Sequence, residues 1–393
     1  MPSLPADIPH GWISHYVDYA QQLTSAPRIY HLAVGFTLAG AVLRRNVWAP
    51  FQDDAIYPNL WACLLGDSGA TSKSTAINLG VRCLPARGDG LLYPSNFSIQ
   101  HLVSTMQARP QGLLVYREFK HLSDLLQRDY MRGATAMLTD VYDCPAQIEA
   151  GTQERGVEVV KDPALSILAA STPEWWAGRK TQAEVASGWL ARFLFVPAGA
   201  HEAGAPNPWP QATPELLRDR DNLRAQLQIA AEQRGPVVFR AHDKAAYGEW
   251  FRWHQRQSPF LGGPFSAFVR RFEVLAVKLT LIAHVSGMRE VSDPLDATTV
   301  PLCCALVDHL EGRLWTYLSE GVAFTPHQEA RARALRAIPN GGAEVTQRDL
   351  LRGLRVPLRD FLAVMETLLA EGQVSRRVER VRGEAKTWWS RLN

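Results

Sequence analysis

Residues 59–75 read NLWACLLGDSGATSKST, and this stretch decides the fold. Its first part, Asn59–Leu65, is an apolar run without alternation, which is typical of a strand buried on both faces of a sheet. Small residues follow in the loop Gly66–Ser72, and a helix is predicted to open at Ser74. A buried strand, a loop of small residues and a helix in this order predict a phosphate-binding loop.

The residue types of this loop suit the phosphates of a nucleotide. Small residues allow backbone N–H groups to converge on the β- and γ-phosphates, and the N-terminus of the following helix adds the positive end of its dipole. We expect Lys73 to neutralise the phosphates and Ser74, directly after it, to ligate Mg²⁺. With ATP and Mg²⁺ as the predicted cofactors, the nucleotide-binding residues are Gly66, Asp67, Ser68, Gly69, Ala70, Thr71, Ser72, Lys73, Ser74 and Thr75.

The loop departs from the standard pattern at two points. Gly66 and Lys73 are seven positions apart, one more than in the standard motif, so we expect a wider loop. Ser72 stands where a glycine normally precedes the lysine, and a serine accepts the backbone angles of a glycine less readily. A surface turn between a strand and a helix that contains Lys-Ser-Thr by chance is the alternative interpretation.

Three more buried strands are predicted after the loop. They are the apolar runs Gly112–Tyr116, Leu165–Ala170 and Arg192–Val196, and helical segments separate the first two. Buried strands that alternate with helices predict an α/β fold of three layers with a mostly parallel sheet. Residues at the ends of these strands are therefore candidates for the same site as the loop.

An acid is expected at the end of the second strand, where it would hold Mg²⁺ or polarise the attacking water. Glu118 occupies this position and suits a general base. The aspartate that commonly precedes it is replaced by Arg117, and Asp140 or Asp143 are candidates to support the metal instead. The alternative for Glu118 is a solvated acid at the end of a strand.

The third and fourth strands provide the other predicted catalytic residues. Ser171 and Thr172 end the third strand and suit a group that senses the γ-phosphate or orients water. Arg192, at the start of the fourth strand, is predicted to reach the nucleotide of a neighbouring subunit as an arginine finger. Ordinary hydroxyl groups at the end of a strand and an ion pair within the chain are the respective alternatives.

The remaining pattern indicates helices around this core and a small C-terminal domain. Residues 11–48 are predicted to form two helices, and a hairpin is predicted over Ile148–Val160. After residue 326 the order helix, helix, helix, hairpin is typical of a winged helix, with Thr346 as a cap and Gly372 ending the third helix. The predicted domains are an N-terminal helical region (1–57), a P-loop NTPase core (58–200), a linker with a helical subdomain (201–325) and the winged helix (326–393).

Composition excludes several classes of protein. The chain has 393 residues, of which 46% are hydrophobic, and its net charge is +3. No stretch reaches the ~18 uncharged apolar residues of a membrane helix, and the N-terminus does not have the pattern of a signal peptide, so a cytoplasmic location is expected. None of the five cysteines forms a CxxC pair, which argues against a zinc site or a disulfide framework.

Five segments together resemble an uncharacterised family of P-loop ATPases from phages, prophages and plasmids that is related to primase–helicases. They are PNLWACLLGDSGATSKST (58–75), LLVYREF (113–119), LSILAASTPEW (165–175), SGWLARFLFV (187–196) and VRRFEVLAVKLTLIAHV (269–285). The resemblance spans roughly residues 10–320. It implies a RecA-like core and ATP hydrolysis coupled to movement on DNA, usually in a homo-oligomeric ring, with a primase or another replication protein as a possible partner. Arg117 departs from the Asp-Glu pair of this pattern.

Basic residues near these elements are candidates for binding DNA, and single-stranded DNA is the predicted form. Phosphate contacts are expected from the hairpin, from a segment with two tryptophans, and from the C-terminal domain, whose residues 326–393 carry a net charge of +5. The candidates are Arg155, Lys161, Arg179, Lys180, Arg355, Arg359, Arg376 and Arg377. Solvated loops, protein contacts through the winged helix, and a non-catalytic DNA-binding or assembly module with a degenerate nucleotide site are the alternatives.

Overall fold

The computed structural model divides the chain into two compact units, formed by the described residues up to Tyr317 and by those from Leu318 onward. The first unit thus includes residues that the sequence assigns to the segments 1–57, 58–200 and 201–325. The structure describes residues 4–5, 7–85, 90–131, 133–152, 156–172, 188–204, 211–258, 260–261, 266–321, 331, 334–335, 337–339, 343–354, 357–370, 372–381 and 384–392.

Helices and strands alternate through much of the first unit. Its described helices are α1 (Trp12–Leu23), α2 (Arg28–Leu43), α3 (Lys73–Val81), α4 (Ile99–Ala108), α5 (Phe119–Leu126), α6 (Ala134–Tyr142), α7 (Pro214–Glu232), α8 (Ala241–Gln257), α9 (Ser266–Ser286) and α10 (Thr299–Gly321), of which the residues from Leu318 onward belong to the second unit. Its strands are β1 (Val47–Phe51), β2 (Asp54–Ile56), β3 (Trp61–Leu65), β4 (Gln111–Tyr116), β5 (Gln147–Thr152), β6 (Gly156–Lys161), β7 (Ala164–Ser171), β8 (Phe193–Pro197) and β9 (Gly235–Pro236). Short 3₁₀ turns occur at Asp129–Met131, Leu190–Arg192 and Ala200–Glu202.

The strands β3, β4, β7 and β8 form the central sheet of the first unit. All of its pairs are parallel, and the order across the sheet is β4-β7-β3-β8. Every residue of β3, β7 and β8 is buried, which explains why these strands are apolar runs without alternation. A parallel bridge between Leu92 and Leu113 extends the sheet beyond β4. The predicted α/β fold with a parallel sheet is therefore confirmed.

Helix α2 lies inside the first unit. Each of its residues after Arg28 is buried, because the helix packs against α1, α3, α7 and α9 and against β3 and β7. An apolar sequence on all sides of a helix is what such an environment requires. Within the described part of the chain, no helix combines the length and the apolar character that crossing a membrane would need.

The two helices predicted within residues 11–48 are present as α1 and α2, and a second, smaller sheet follows them. Helix α2 ends at Leu43, and β1 begins at Val47. β1 pairs antiparallel with β2, and it pairs parallel with β9, where Val47 lies opposite Gly235. The sequence did not predict β1, because this strand is completed by a partner far away in sequence, which a local pattern does not reveal.

The predicted hairpin before the third strand of the sheet is present. β5 and β6 pair antiparallel, with Ile148 opposite Val160. These two side chains are buried, while Val157 and Val159 of β6 are exposed. The predicted phosphate contact Arg155 lies outside the described residues.

Among the described residues, the second unit contains a small antiparallel sheet and the two helices given below. Its elements are β10 (Glu344–Thr346), α11 (Gln347–Leu354), α12 (Leu358–Ala370), β11 (Val374–Val381) and β12 (Glu384–Arg391). The order of the sheet is β10-β12-β11. Phe361, Met365 and Leu368 of α12 pack with Trp389 of β12 in the core of this unit.

The helix ends of the second unit agree with the local sequence signals. Thr346 precedes α11, and its Oγ1 accepts a hydrogen bond from the Asp349 N–H at 3.2 Å, as expected of a cap. Gly372 has φ +68°, and its N–H donates to the Leu369 carbonyl at 3.1 Å just after α12 ends. This left-handed conformation is the usual way for a glycine to end a helix.

Candidate functional site

The loop Gly66–Ser72 joins β3 to α3 at the carboxyl edge of the parallel sheet. Helix α3 begins at Lys73, so Ser74 and Thr75 lie in its first turn. Because β7 lies between β3 and β4, the residues after these three strands meet at one edge. Ligands of open α/β sheets bind at this edge, which gives the predicted strand, loop and helix the setting they require.

Close packing, rather than an unusual backbone conformation, requires a glycine at position 66. A Cβ at this position would lie 2.3 Å from the Tyr30 hydroxyl and 2.8 Å from the Ala198 carbonyl oxygen, so no other residue fits without movement. The Tyr30 hydroxyl donates to the Leu65 carbonyl at 2.5 Å, and burial raises the pKa of this phenol. Helix α2 therefore supports the start of the loop.

Two residues of the loop have left-handed backbone conformations. Gly69 has φ +78°, and Ser72 has φ +51° and ψ +34°. Ser72 thus adopts a conformation that glycine accepts more readily, although it has a side chain. For a residue with a Cβ this conformation costs on the order of 1 kcal/mol. The serine before Lys73 is therefore a strained replacement for glycine.

Lys73 is anchored by the loop that precedes it. Its side chain is buried, and the residue is 9% exposed. The Nζ donates to the Gly66 carbonyl at 2.5 Å and to the Asp67 carbonyl at 3.0 Å, and it lies 3.5 Å from the Thr71 Oγ1. These contacts hold the ammonium group against the oxygens of the loop. The residue Lys73 also borders a cavity.

A cavity of about 430 Å³ opens next to the loop. Its walls come from the loop and the first turn of α3, from residues 117–120 after β4, and from residues 170–172 at the end of β7. The predicted residues that border it are Ser68, Gly69, Ser72, Lys73, Ser74, Thr75, Glu118, Ser171 and Thr172. Gly66, Asp67 and Thr71 contribute through their contacts with Lys73, while Ala70 is exposed on the loop.

Glu118 is placed where a base or a metal ligand could act. It precedes α5, its side chain is 66% exposed, and its Oε2 lies 3.4 Å from the His121 Nε2. The Ser74 hydroxyl borders the same cavity. One hydroxyl and one carboxylate suit a Mg²⁺ site that the phosphates of a ligand and water would complete, so these two residues fit the ion.

Ser171 and Thr172 lie directly beside the loop. Ser171 is the register partner of Leu65 in the sheet, and its carbonyl accepts a hydrogen bond from the Gly66 N–H at 3.4 Å. The Ser171 Oγ lies 3.5 Å from the Thr172 carbonyl oxygen. Both residues thus border the cavity between the loop and the segment that carries Glu118.

Arg192 makes the ion pair that the sequence left open as the alternative to an arginine finger. Its Nη2 lies 2.5 Å from the Asp143 Oδ2, and its Nη1 donates to the Gly188 carbonyl at 3.0 Å. Among the described residues, neither Arg192 nor Asp143 borders the cavity of its own chain. Asp143 also binds Arg271, so its carboxylate is occupied by arginines rather than placed to support a metal in the cavity. The arginine finger stays a prediction.

The candidates for DNA binding that the structure describes lie on the surface. Lys161 ends β6, Arg359 lies near the start of α12, and Arg376 and Arg377 follow each other on β11. The candidates Arg155, Arg179, Lys180 and Arg355 lie outside the described residues.

Sequence reasoning missed a buried polar cluster between α8 and α10. His254, Asp308 and Glu311 place ligand atoms within 4.8 Å of one another, and the His254 Nε2 lies 2.6 Å from a Glu311 oxygen. Burial raises the pKa of Glu311 to about 7 and lowers that of His254 to about 4. Ser258 and Trp250 hydrogen-bond the two acids. The sequence around these residues shows only the spacing of two helices that are far apart in the chain. Such spacing does not reveal that the two helices meet.

No family model matches the chain, and no curated protein matches it.

Proposed function

We propose that the chain is a P-loop ATPase of a mobile genetic element that acts on DNA as a helicase or translocase during replication. One observation carries the proposal: the buried residue Lys73 borders a cavity at the carboxyl edge of a parallel sheet, together with Ser74 and Glu118. A buried cation at the start of a helix is suited to bind phosphate groups. The acid at the same cavity is suited to activate water.

Each predicted residue has a defined task in this proposal. The loop amides and the Lys73 ammonium bind the phosphates of ATP, and the Ser74 hydroxyl holds Mg²⁺, which when bound neutralises part of the phosphate charge. Glu118 accepts a proton from the attacking water. Ser171 or Thr172 detects the γ-phosphate by donating a hydrogen bond.

The proposal also includes two finer features of the fold, a RecA-like core and a winged helix. A RecA-like core is supported by the parallel order β4-β7-β3-β8, because it brings the ends of three strands to the cavity. A winged helix is supported by the order of α11, α12, β11 and β12, in which two helices precede an antiparallel hairpin. Such a domain suits the proposed contacts with DNA. Lys161, on the hairpin of β5 and β6 in the first unit, is a separate proposed contact.

A homo-oligomeric ring and a primase or other replication partner complete the proposal. In a ring, Arg192 would reach the nucleotide of a neighbouring subunit. For this it would have to exchange its ion pair with Asp143 for a phosphate, which also carries negative charge. The proposal therefore includes a rearrangement of this ion pair upon assembly.

A second function has one observation in its favour. Arg117 follows β4 where the related pattern has an aspartate, and Glu118 is the sole acidic residue among the described residues that border the cavity. A site with one carboxylate suits a non-catalytic DNA-binding or assembly module that retains nucleotide binding and has lost hydrolysis.

Two variants of the full chain separate these functions. Lys73→Ala is expected to abolish ATP binding in calorimetry, because it removes the buried cation of the loop. Glu118→Gln is expected to retain binding and to lower the rate of hydrolysis by about 100-fold or more, both with and without single-stranded DNA. ATP affinity that is unchanged in Lys73→Ala would refute the nucleotide site. Binding without measurable hydrolysis by the unmodified chain would favour the non-catalytic module.

A further inference from the structure

The cavity contains more positive charge than its phosphate loop alone provides. Besides Lys73, the exposed cations Arg117 and Lys120 border it. Within the part of the chain that the structure describes, Glu118 is the one acid in its lining. Three cations and one carboxylate make this site strongly attractive to an anion even before a metal ion arrives.

Arg117 is held in place by the helix that follows the phosphate loop. Its Nε donates to the Oδ1 of Asn78, on α3, at 2.9 Å. No contact between the described residues engages the two Nη groups of Arg117. The Nε side of the guanidinium is therefore fixed by Asn78. The two Nη groups remain available to a ligand in the cavity, which Arg117 borders.

Lys120 adds a second cation on the same wall. It lies in the first turn of α5, two residues after Glu118, and it makes no ion pair with the described residues. In the sequence, Arg117 thus precedes Glu118, the single acid of the lining, and Lys120 follows it. Their positive charges oppose the approach of a divalent cation to Glu118 and favour the approach of phosphate oxygens.

We infer that Arg117 and Lys120 bind the terminal phosphate of a nucleoside triphosphate held by their own chain, so that its binding does not require Mg²⁺. This inference rests on the proposed function of the cavity as the ATP site. The planar guanidinium can donate two parallel hydrogen bonds to phosphate oxygens, and Lys73 and Lys120 supply further charge. Mg²⁺ then acts in hydrolysis, through Ser74, and not in holding the nucleotide, while Glu118 accepts the proton of the attacking water.

Calorimetry on the full chain tests this inference with ATP and ADP, in buffers that contain either magnesium chloride or EDTA. We expect ATP affinity of the unmodified chain to differ by less than about threefold between the buffers. In EDTA, Arg117→Gln should weaken ATP binding by about tenfold or more, and ADP binding by less than about threefold, because ADP lacks the terminal phosphate. Lys120→Gln should act in the same direction with a smaller effect.

Two further variants control for charge and for position. Arg218→Gln removes an exposed arginine of α7 that does not border the cavity, and it should leave ATP affinity unchanged. Asn78→Leu removes the acceptor that orients Arg117 and should weaken ATP binding less than Arg117→Gln does. Circular dichroism and thermal melting of each variant establish that it is folded.

The outcomes distinguish this inference from the proposed function. ATP binding that is present with magnesium and falls by more than about tenfold in EDTA would overturn the inference and leave the ATP site intact. Unchanged affinity in Arg117→Gln would overturn it as well. If the unmodified chain binds ATP in neither buffer, the proposed function fails, and the inference fails with it.

Discussion

Arg192 and Asp143 form an ion pair in which Nη2 and Oδ2 are 2.5 Å apart and the arginine side chain is 9% exposed. Arg271 of α9 binds the other carboxylate oxygen, Oδ1, at 2.8 Å. Both guanidinium groups lie over the Tyr142 ring, at 5.7 Å and 5.8 Å from its centroid. One carboxylate after α6 therefore connects the start of β8 to α9.

Asp143→Asn is expected to lower the free energy of unfolding by about 1–3 kcal/mol. The loss arises because the nearly buried Arg192 keeps its charge and loses its carboxylate, and it is moderated because Asp143 is half exposed. Urea denaturation of Asp143→Asn, Arg192→Met and the double variant measures the interaction. Asp140→Asn, at an exposed acid of the preceding helix, serves as the matched control. Additive effects of the two changes would contradict the coupling.

Ser72→Gly is expected to raise the free energy of unfolding by about 0.5–1 kcal/mol. The serine has φ +51°, and glycine adopts this conformation without the steric cost of a Cβ. Thermal and urea denaturation measure the change, and nucleotide affinity should be retained because the loop keeps its course. Ser72→Ala removes the hydroxyl and leaves the strain, so a gain of the same size in Ser72→Ala would show that the backbone is not the cause.

The strand, loop and helix over residues 61–81 were predictable because their signals are local. The apolar run of β3, the small residues after it and Lys73 at the start of a helix follow one another in the chain. The cap at Thr346 and the end of a helix before Gly372 are local in the same sense. Each of these features needs only the residues next to it, so a single sequence contains the information.

The parts that were missed depend on residues far apart in the chain. β1 is completed by β9, and Val47 lies opposite Gly235. His254 meets Glu311 only because α8 packs against α10, and Asp143 meets Arg271 only because α6 and α9 approach each other. In these cases the identity of the partner is set by tertiary packing, which no spacing in the sequence expresses.

Lys278 joins α9 to Asn59, which lies two residues before the central strand β3. Its Nζ donates to the carbonyl oxygen of Asn59 at 2.8 Å and to the side-chain oxygen of Asn59 at 2.6 Å. The ammonium also lies 4.3 Å from the centroid of the Tyr142 ring. Burial lowers the pKa of Lys278 from 10.5 to about 8.

The buried Lys278 is expected to make stability rise with pH in alkaline solution. Between pH 8 and 10.5 the unfolded chain binds the proton of this lysine and the folded chain does not, so raising the pH favours the folded state. Relative to Lys278→Met, the unmodified chain should gain about 3 kcal/mol of unfolding free energy across this range, measured by urea denaturation. Lys244→Met, at an exposed lysine, should follow the unmodified chain. Parallel curves for the unmodified chain and Lys278→Met would contradict this prediction.

The two faces of β11 are expected to contribute unequally to DNA binding. Arg377 binds Glu344 and Glu379, which raises its pKa, while Arg376 and Arg380 lie on the opposite face without an ion pair to any described residue. The double variant Arg376→Gln/Arg380→Gln should weaken binding of single-stranded DNA. It should also lower, by about 2, the magnitude of the slope in a plot of the logarithm of affinity against the logarithm of salt concentration, because each arginine accounts for about one phosphate. Arg377→Gln, measured by the same salt titration, should change the slope by less than about 0.5, since its charge is already engaged. An equal loss in both variants would show that the ion pairs of Arg377 open on DNA, and no loss in either would remove this strand from the proposed DNA surface.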